Sequence, residues 1–258
     1  MRYRGLLALI FLFVITGTTF ADRHRPPRPS GDVDVGNHAR LFLRSPEWNH
    51  MLSLDWRFES ELGGFGRRSA TLGSYYRAHR NLKIGGFYTL QSAVRHDDDW
   101  IARDDGFVWQ DTDDRYESLF SLDATPRWLV PGVPRENVVL SWKNRLIWNT
   151  FNNHLTLRTR PMLTWFLLSV RQPLLNIAVA YDLYTSLNFG ESLLYRHYPY
   201  LHAVYHLTPE VKLDLSYGFE TTTWSTSEAV RTDPAHGTYR ADYQVHVFSL
   251  GVIVYLDM

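Results

Sequence analysis

Residues 52 to 61 alternate without interruption. Leu52, Leu54, Trp56 and Phe58 share one face of an extended chain, and Ser53, Asp55, Arg57, Glu59 and Glu61 share the other. A period of two marks a β-strand that is apolar on one side and polar on the other. The pattern recurs to the end of the chain and predicts ten strands from Met51 onward: 51–62, 69–80, 82–95, 115–128, 137–149, 154–167, 174–188, 196–207, 211–223 and 240–257. Outward apolar sets include Leu72 and Tyr76, then Ile84, Tyr88 and Leu90, then Ile177, Val179 and Tyr181, then Leu213, Leu215 and Tyr217.

The connections alternate in character. Short turns around Asn81, 129–136, 168–173 and 208–210 fall at one end, and the longer polar loops 63–68, 96–114, 150–153, 189–195 and 225–239 at the other. An outer-membrane barrel has this asymmetry, and an even strand count returns both termini to the turn side. The predicted fold is therefore all-β: an antiparallel transmembrane up-and-down β-barrel of ten strands, with twelve as the alternative count. Trp128 and Trp165 fall at the periplasmic strand ends and Trp148 and Trp224 at the external ends, as membrane-interface aromatics do. A soluble sandwich or lipocalin-like barrel also alternates, but its apolar face points into a core and does not call for Tyr and Trp at so many strand ends.

The N-terminus adds a route of export. Arg2 and Arg4 precede an apolar run from Gly5 to Ile15, and Thr19-Phe20-Ala21 forms a small-x-small cleavage site, so residues 1–21 read as a cleavable signal peptide. Residues 22–47 are expected to be a periplasmic spacer, extended through Pro26, Pro27 and Pro29, and residues 48–258 the barrel. A short strand at 39–44 is set outside the barrel because Ser45 and Pro46 interrupt it. Pro161 within a strand predicts a bulge or an early strand end. The C-terminal Met258 departs from the aromatic residue on which bacterial barrels commonly finish.

Charge narrows the function. The chain has 27 basic and 27 acidic residues, and the signal removes only arginines, so nothing recommends nucleic acid as a partner. Only Lys83, Lys143 and Lys212 are lysines; the other basic residues are arginines, whose planar fork suits carboxylates in confined places. Absence of cysteine excludes disulfides and thiolate chemistry.

The second half resembles a family of outer-membrane barrels known as domain of unknown function 2490. The resemblance rests on Asn144-Arg145-Leu146, Leu157 to Arg160, Arg196 with Tyr200 to Leu207, Val211 to Gly218 and His246-Val247-Phe248, and covers roughly residues 137 to 258. It implies an outer-membrane barrel and no particular activity.

With the polar faces inward, the lumen gains a charge network that includes Asp55, Arg57, Glu59, Glu61, Arg77, Lys143, Arg145, Arg158, Arg160 and Asp182. Inferred hairpin registers set Asp55 opposite Arg77 and Arg158 opposite Asp182, while Lys143 faces Arg160 and Arg145 faces Arg158. Four cations on one hairpin repel, so carboxylates or an anionic ligand must lie beside them. A loop with eight aspartates between His96 and Asp114 matches no calcium-loop spacing. His202 and His206 share a face, but four strand residues separate them by roughly 13 Å, too far for one metal. Neither His79 nor Asp182 has a persuasive serine partner, so no catalytic, metal or cofactor site is expected. The functional expectation is a non-enzymatic, narrow, anion-leaning channel or an envelope structural component. It would lie in the cell outer membrane, with outer-membrane lipid, lipopolysaccharide and the barrel-assembly machinery as partners. A lipid- or lipopolysaccharide-modifying hydrolase is the alternative.

Overall fold

The computed structural model describes residues 32–59, 64–93, 100–103, 106–109, 115–132, 137–169, 172–189, 193–225 and 240–258. These form strands joined by turns and bends, with no helix among them. Eleven strands close into a barrel. In sequence they are β1 (Asp32–Arg44), β2 (Trp48–Glu59), β3 (Gly64–His79), β4 (Leu82–Ala93), β7 (Arg115–Leu129), β8 (Val138–Asn149), β9 (His154–Ser169), β10 (Gln172–Ser186), β11 (Leu194–His206), β12 (Val211–Ser225) and β13 (Arg240–Asp257). Two short strands, β5 (Trp100–Arg103) and β6 (Gly106–Trp109), make a separate hairpin within the acidic loop.

The strand count corrects the expectation of ten or twelve. Residues 32–44, assigned above to the spacer, are a barrel strand, whereas the signal and residues 22–31 lie outside the described residues. β1 pairs antiparallel with β2 and parallel with β13, from Asp32↔Val245 to Arg44↔Asp257, so the sheet is mixed. The odd count also separates the chain's entry and exit. Asp32 sits at the long-loop end and Met258 at the turn end, where its amide donates to the Arg44 carbonyl at 2.9 Å.

Alternation decides which face points where. Leu72, Leu90, Leu122, Val179, Leu201, Leu215 and Leu250 stand on the outer wall, Leu72 with 62% of its surface exposed. Their neighbours along each strand point inward: Thr71, Thr89, Ser121, Asp123, Asp182, Asp214 and Glu220 are buried. This is the reverse of a soluble barrel, whose apolar side chains fill its interior.

Pro161, Pro199 and Pro126 interrupt ladders without shifting them, whereas the register does shift just after Pro173. β9 runs through Pro161, which sits opposite Trp142 of β8. On its other side the ladder to β10 omits Arg160 and Pro161 and keeps one register across the gap, Thr159↔Leu183 and Met162↔Ala180. A proline without a donor needs only that local gap, so the predicted bulge or early end does not occur. Pro199 leaves a similar gap between β11 and β12, and Pro126 between β7 and β8.

The parallel seam can be tested by covalent trapping. Asn37 and Leu250 are register partners across it, and cysteines there fall within disulfide range. In a chain with no other cysteine, the double variant Asn37→Cys/Leu250→Cys should form one intramolecular disulfide on oxidation, seen as a gel shift reversed by reductant. A folded barrel that never forms the bond would place β1 elsewhere.

Candidate functional site

The candidate site is the charged inner face, where carboxylates hold cations drawn from several strands. Asp123 of β7 lies in register with Arg145 of β8. Arg145 donates to it in bidentate fashion at 2.5 and 2.8 Å, and Lys143 reaches it at 2.8 Å. Lys143 also donates to the Tyr75 hydroxyl of β3 at 2.8 Å, past the intervening β7 and β4. Asp182 of β10 receives Arg158 at 2.5 Å and Arg160 at 2.5 and 2.8 Å. Lys143 does face Arg160, and Arg145 does face Arg158. The repulsion on this hairpin is answered by one carboxylate on each flank. Arg158 stands in register with Tyr184 and meets Asp182 diagonally, a correction to the inferred direct pairing.

Toward the long-loop end, Arg57 joins two carboxylates. It donates to Asp34 of β1 at 2.7 Å and to Glu220 of β12 at 3.2 Å, passing β1 and β13. Asp55 departs from expectation. β3 begins at Gly64 and not at 69, which sets Asp55 opposite Ser69, not Arg77, and its cation is Arg40 of β1 at 3.6 Å. The side chain of Glu59 and the whole of Glu61 lie outside the described residues.

A fourth centre was not foreseen. Asp214 of β12 accepts from His202 of β11 at 2.5 Å and from His38 of β1 at 2.9 Å, with Arg40 at 3.5 Å. His38 reaches it across β13 because Gly251, its register partner, has no side chain; a Cβ there would fall inside the imidazole ring. The histidines share one carboxylate, each bonded to its own oxygen, and no group of three metal-ligating side chains occurs among the described residues.

Several lumen cations have no ion-pair partner among the described residues. Arg67 of β3 and Arg196 of β11 have no carboxylate within ion-pair distance among the described residues. Arg196 lies over the Tyr184 ring at 3.9 Å, and its buried Nε has no partner. At the turn end Arg77 faces Lys83, with Arg127 beside them. Sequence reasoning missed Arg67 and Arg196, although their inward parity follows from the neighbouring strand positions.

The predicted interface aromatics divide as follows. Trp128 and Trp165 stand exposed on the outer wall near the turn end, and Trp148 near the long-loop end. Trp224 is at the end of β12, opposite Ala241. No protein-family model and no curated protein sequence matches the chain.

Two substitutions probe these contacts. Asp123→Asn removes the charge that Lys143 and Arg145 share and should destabilise the folded barrel by about 3–5 kcal/mol in urea unfolding in detergent. Adding Lys143→Gln and Arg145→Gln should recover much of that, and an Asp123→Asn protein as stable as the parent would show the network to be idle. Gly251→Ala should displace the His38 ring. If so, His38→Ala added to it costs little further stability, whereas additive losses would mean the two do not communicate.

Proposed function

We propose that this chain is an outer-membrane barrel with a narrow, anion-leaning passage, non-enzymatic and in contact with lipid through its apolar wall. The observation that carries the reading is the distribution of inner charge: carboxylate-paired in the middle, with Arg67 and Arg196 on one side and Arg77, Lys83 and Arg127 on the other, each without a carboxylate at ion-pair distance among the described residues. Cations lining a low-dielectric passage raise the local concentration of anions and oppose cations. The apolar exterior supports membrane placement, because only a closed barrel or a helix satisfies its backbone in hydrocarbon. Outer-membrane lipid, lipopolysaccharide and the assembly machinery are then the partners, and the reading agrees with what the resemblance in residues 137 to 258 implies.

A second reading, an envelope structural component with a blocked lumen, is favoured by the contacts Arg57–Glu220 and Lys143–Tyr75, which cut across the interior. Planar-bilayer recording of the refolded protein separates the two. A passage should give small conductance steps with anion preference, reduced or reversed in Arg196→Glu. Silence in well-folded protein would abandon conduction and leave the structural reading.

A further inference from the structure

Arg77, Lys83 and Arg127 form an arrangement that the fold does not neutralise. Arg77 of β3 and Lys83 of β4 are direct register partners, and both point inward. Lys83 is also opposite Thr125 of β7, which places Arg127, the next inward residue of β7, diagonally beside it. Like charges directly across a strand pair oppose each other. None of the three has a carboxylate at ion-pair distance among the described residues, and the charges that act on Lys83 are those of Arg127 and Arg77.

The nearest inner carboxylate on these strands, Asp123, is two residues from Thr125 and is already occupied by Arg145 and Lys143. Tyr75 and Phe87 also stand between, edge to face with centroids 4.7 Å apart. A Cβ on Gly85 would collide with both rings, so they fill the space one inward step beyond Lys83. The cations therefore sit above an aromatic floor at the turn-end mouth, with Arg77 exposed. Two guanidiniums, one ammonium and the Thr125 hydroxyl supply donors suited to a multidentate oxyanion, and burial against the floor strengthens each contact.

We infer that Arg77, Lys83, Arg127 and Thr125 form a binding site for a phosphate-type oxyanion at the turn-end mouth of the barrel. The ligand class is a phosphate or phosphate monoester, free in solution or on a short lipid headgroup that reaches the mouth. The site requires the closed barrel but not conduction, so it stands or falls separately from the proposed passage.

The test uses the full chain refolded in a maltoside detergent that carries no phosphate. Inorganic phosphate is titrated at constant ionic strength, with chloride and dihexanoyl phosphatidic acid in parallel, followed by calorimetry and by the thermal unfolding midpoint. The expected result is saturable binding of phosphate over chloride, weakened at least tenfold in Lys83→Gln and in Arg127→Gln and unchanged in Arg67→Gln. Tighter binding of the phosphatidic acid with the same dependence assigns the source to a headgroup; preference for inorganic phosphate assigns it to a soluble anion. Without phosphate, Lys83→Gln should match or exceed the parent in unfolding midpoint, because it removes repulsion. Phosphate binding that is absent, or indifferent to both substitutions, overturns the site, as does a phosphate-free Lys83→Gln protein that is less stable than the parent.

Discussion

A barrel with an apolar exterior has only one place for its charge, and the carboxylates buried there take their counter-ions from the barrel's own strands. Isolated ions in such an interior cost several kcal/mol each, and pairing with hydrogen bonds is what makes them tolerable. Asp34, Asp123, Asp182 and Asp214 are almost wholly buried and each meets at least one cation, Asp214 through Arg40. The cations come from flanking strands or from strands farther round the wall, so Asp123 and Asp214 each tie three strands together and Asp34 and Asp182 at least two. The arrangement explains why arginine displaces lysine in this chain. A bidentate fork holds direction as well as charge, as Arg145 does on Asp123 and Arg160 on Asp182.

Strand parity was legible because a period of two survives errors in where a strand begins. Leu52, Leu72, Leu90, Val179 and Leu215 are outward and Arg57, Lys143, Arg158 and Asp182 inward in the sequence pattern and in the fold alike. β1 was less legible. Asn37 breaks its outer apolar row, and Pro46 follows it closely, so only residues 39–44 suggested a strand. Losing β1 hid the partners of its neighbours: Asp34 for Arg57, Arg40 for Asp55 and His38 for Asp214. Pairings within a hairpin could be inferred where the ladder is regular, as for Lys143 and Arg160. They failed where a strand begins earlier than its pattern suggests, as β3 does at Gly64 instead of 69. Contacts such as Arg57–Glu220 depend on closure and leave no local trace.

Absent side chains shape the interior as much as charged ones. Beside Gly73 the ring of Phe87 takes the room a Cβ would occupy, and Tyr198 and Tyr200 do the same at Gly218. Tyr198 and Tyr200 stack with centroids 4.8 Å apart, and Arg160 lies over the Tyr200 ring. Rings turned across the sheet over such notches exclude water around the ion pairs and so strengthen them.

The parallel seam gives the molecule an order of assembly. Every other strand pair in the barrel joins sequence neighbours or spans one loop, but β1 meets β13 across more than two hundred residues, from Asp32 to Val245. Loop closure over that distance comes last, after the hairpins that need little chain entropy. Until then the sheet has two long free edges, each with a row of unpaired backbone groups and an apolar face. Its most vulnerable state is thus an almost complete, uncurled sheet, whose first strand has waited for the last to be made.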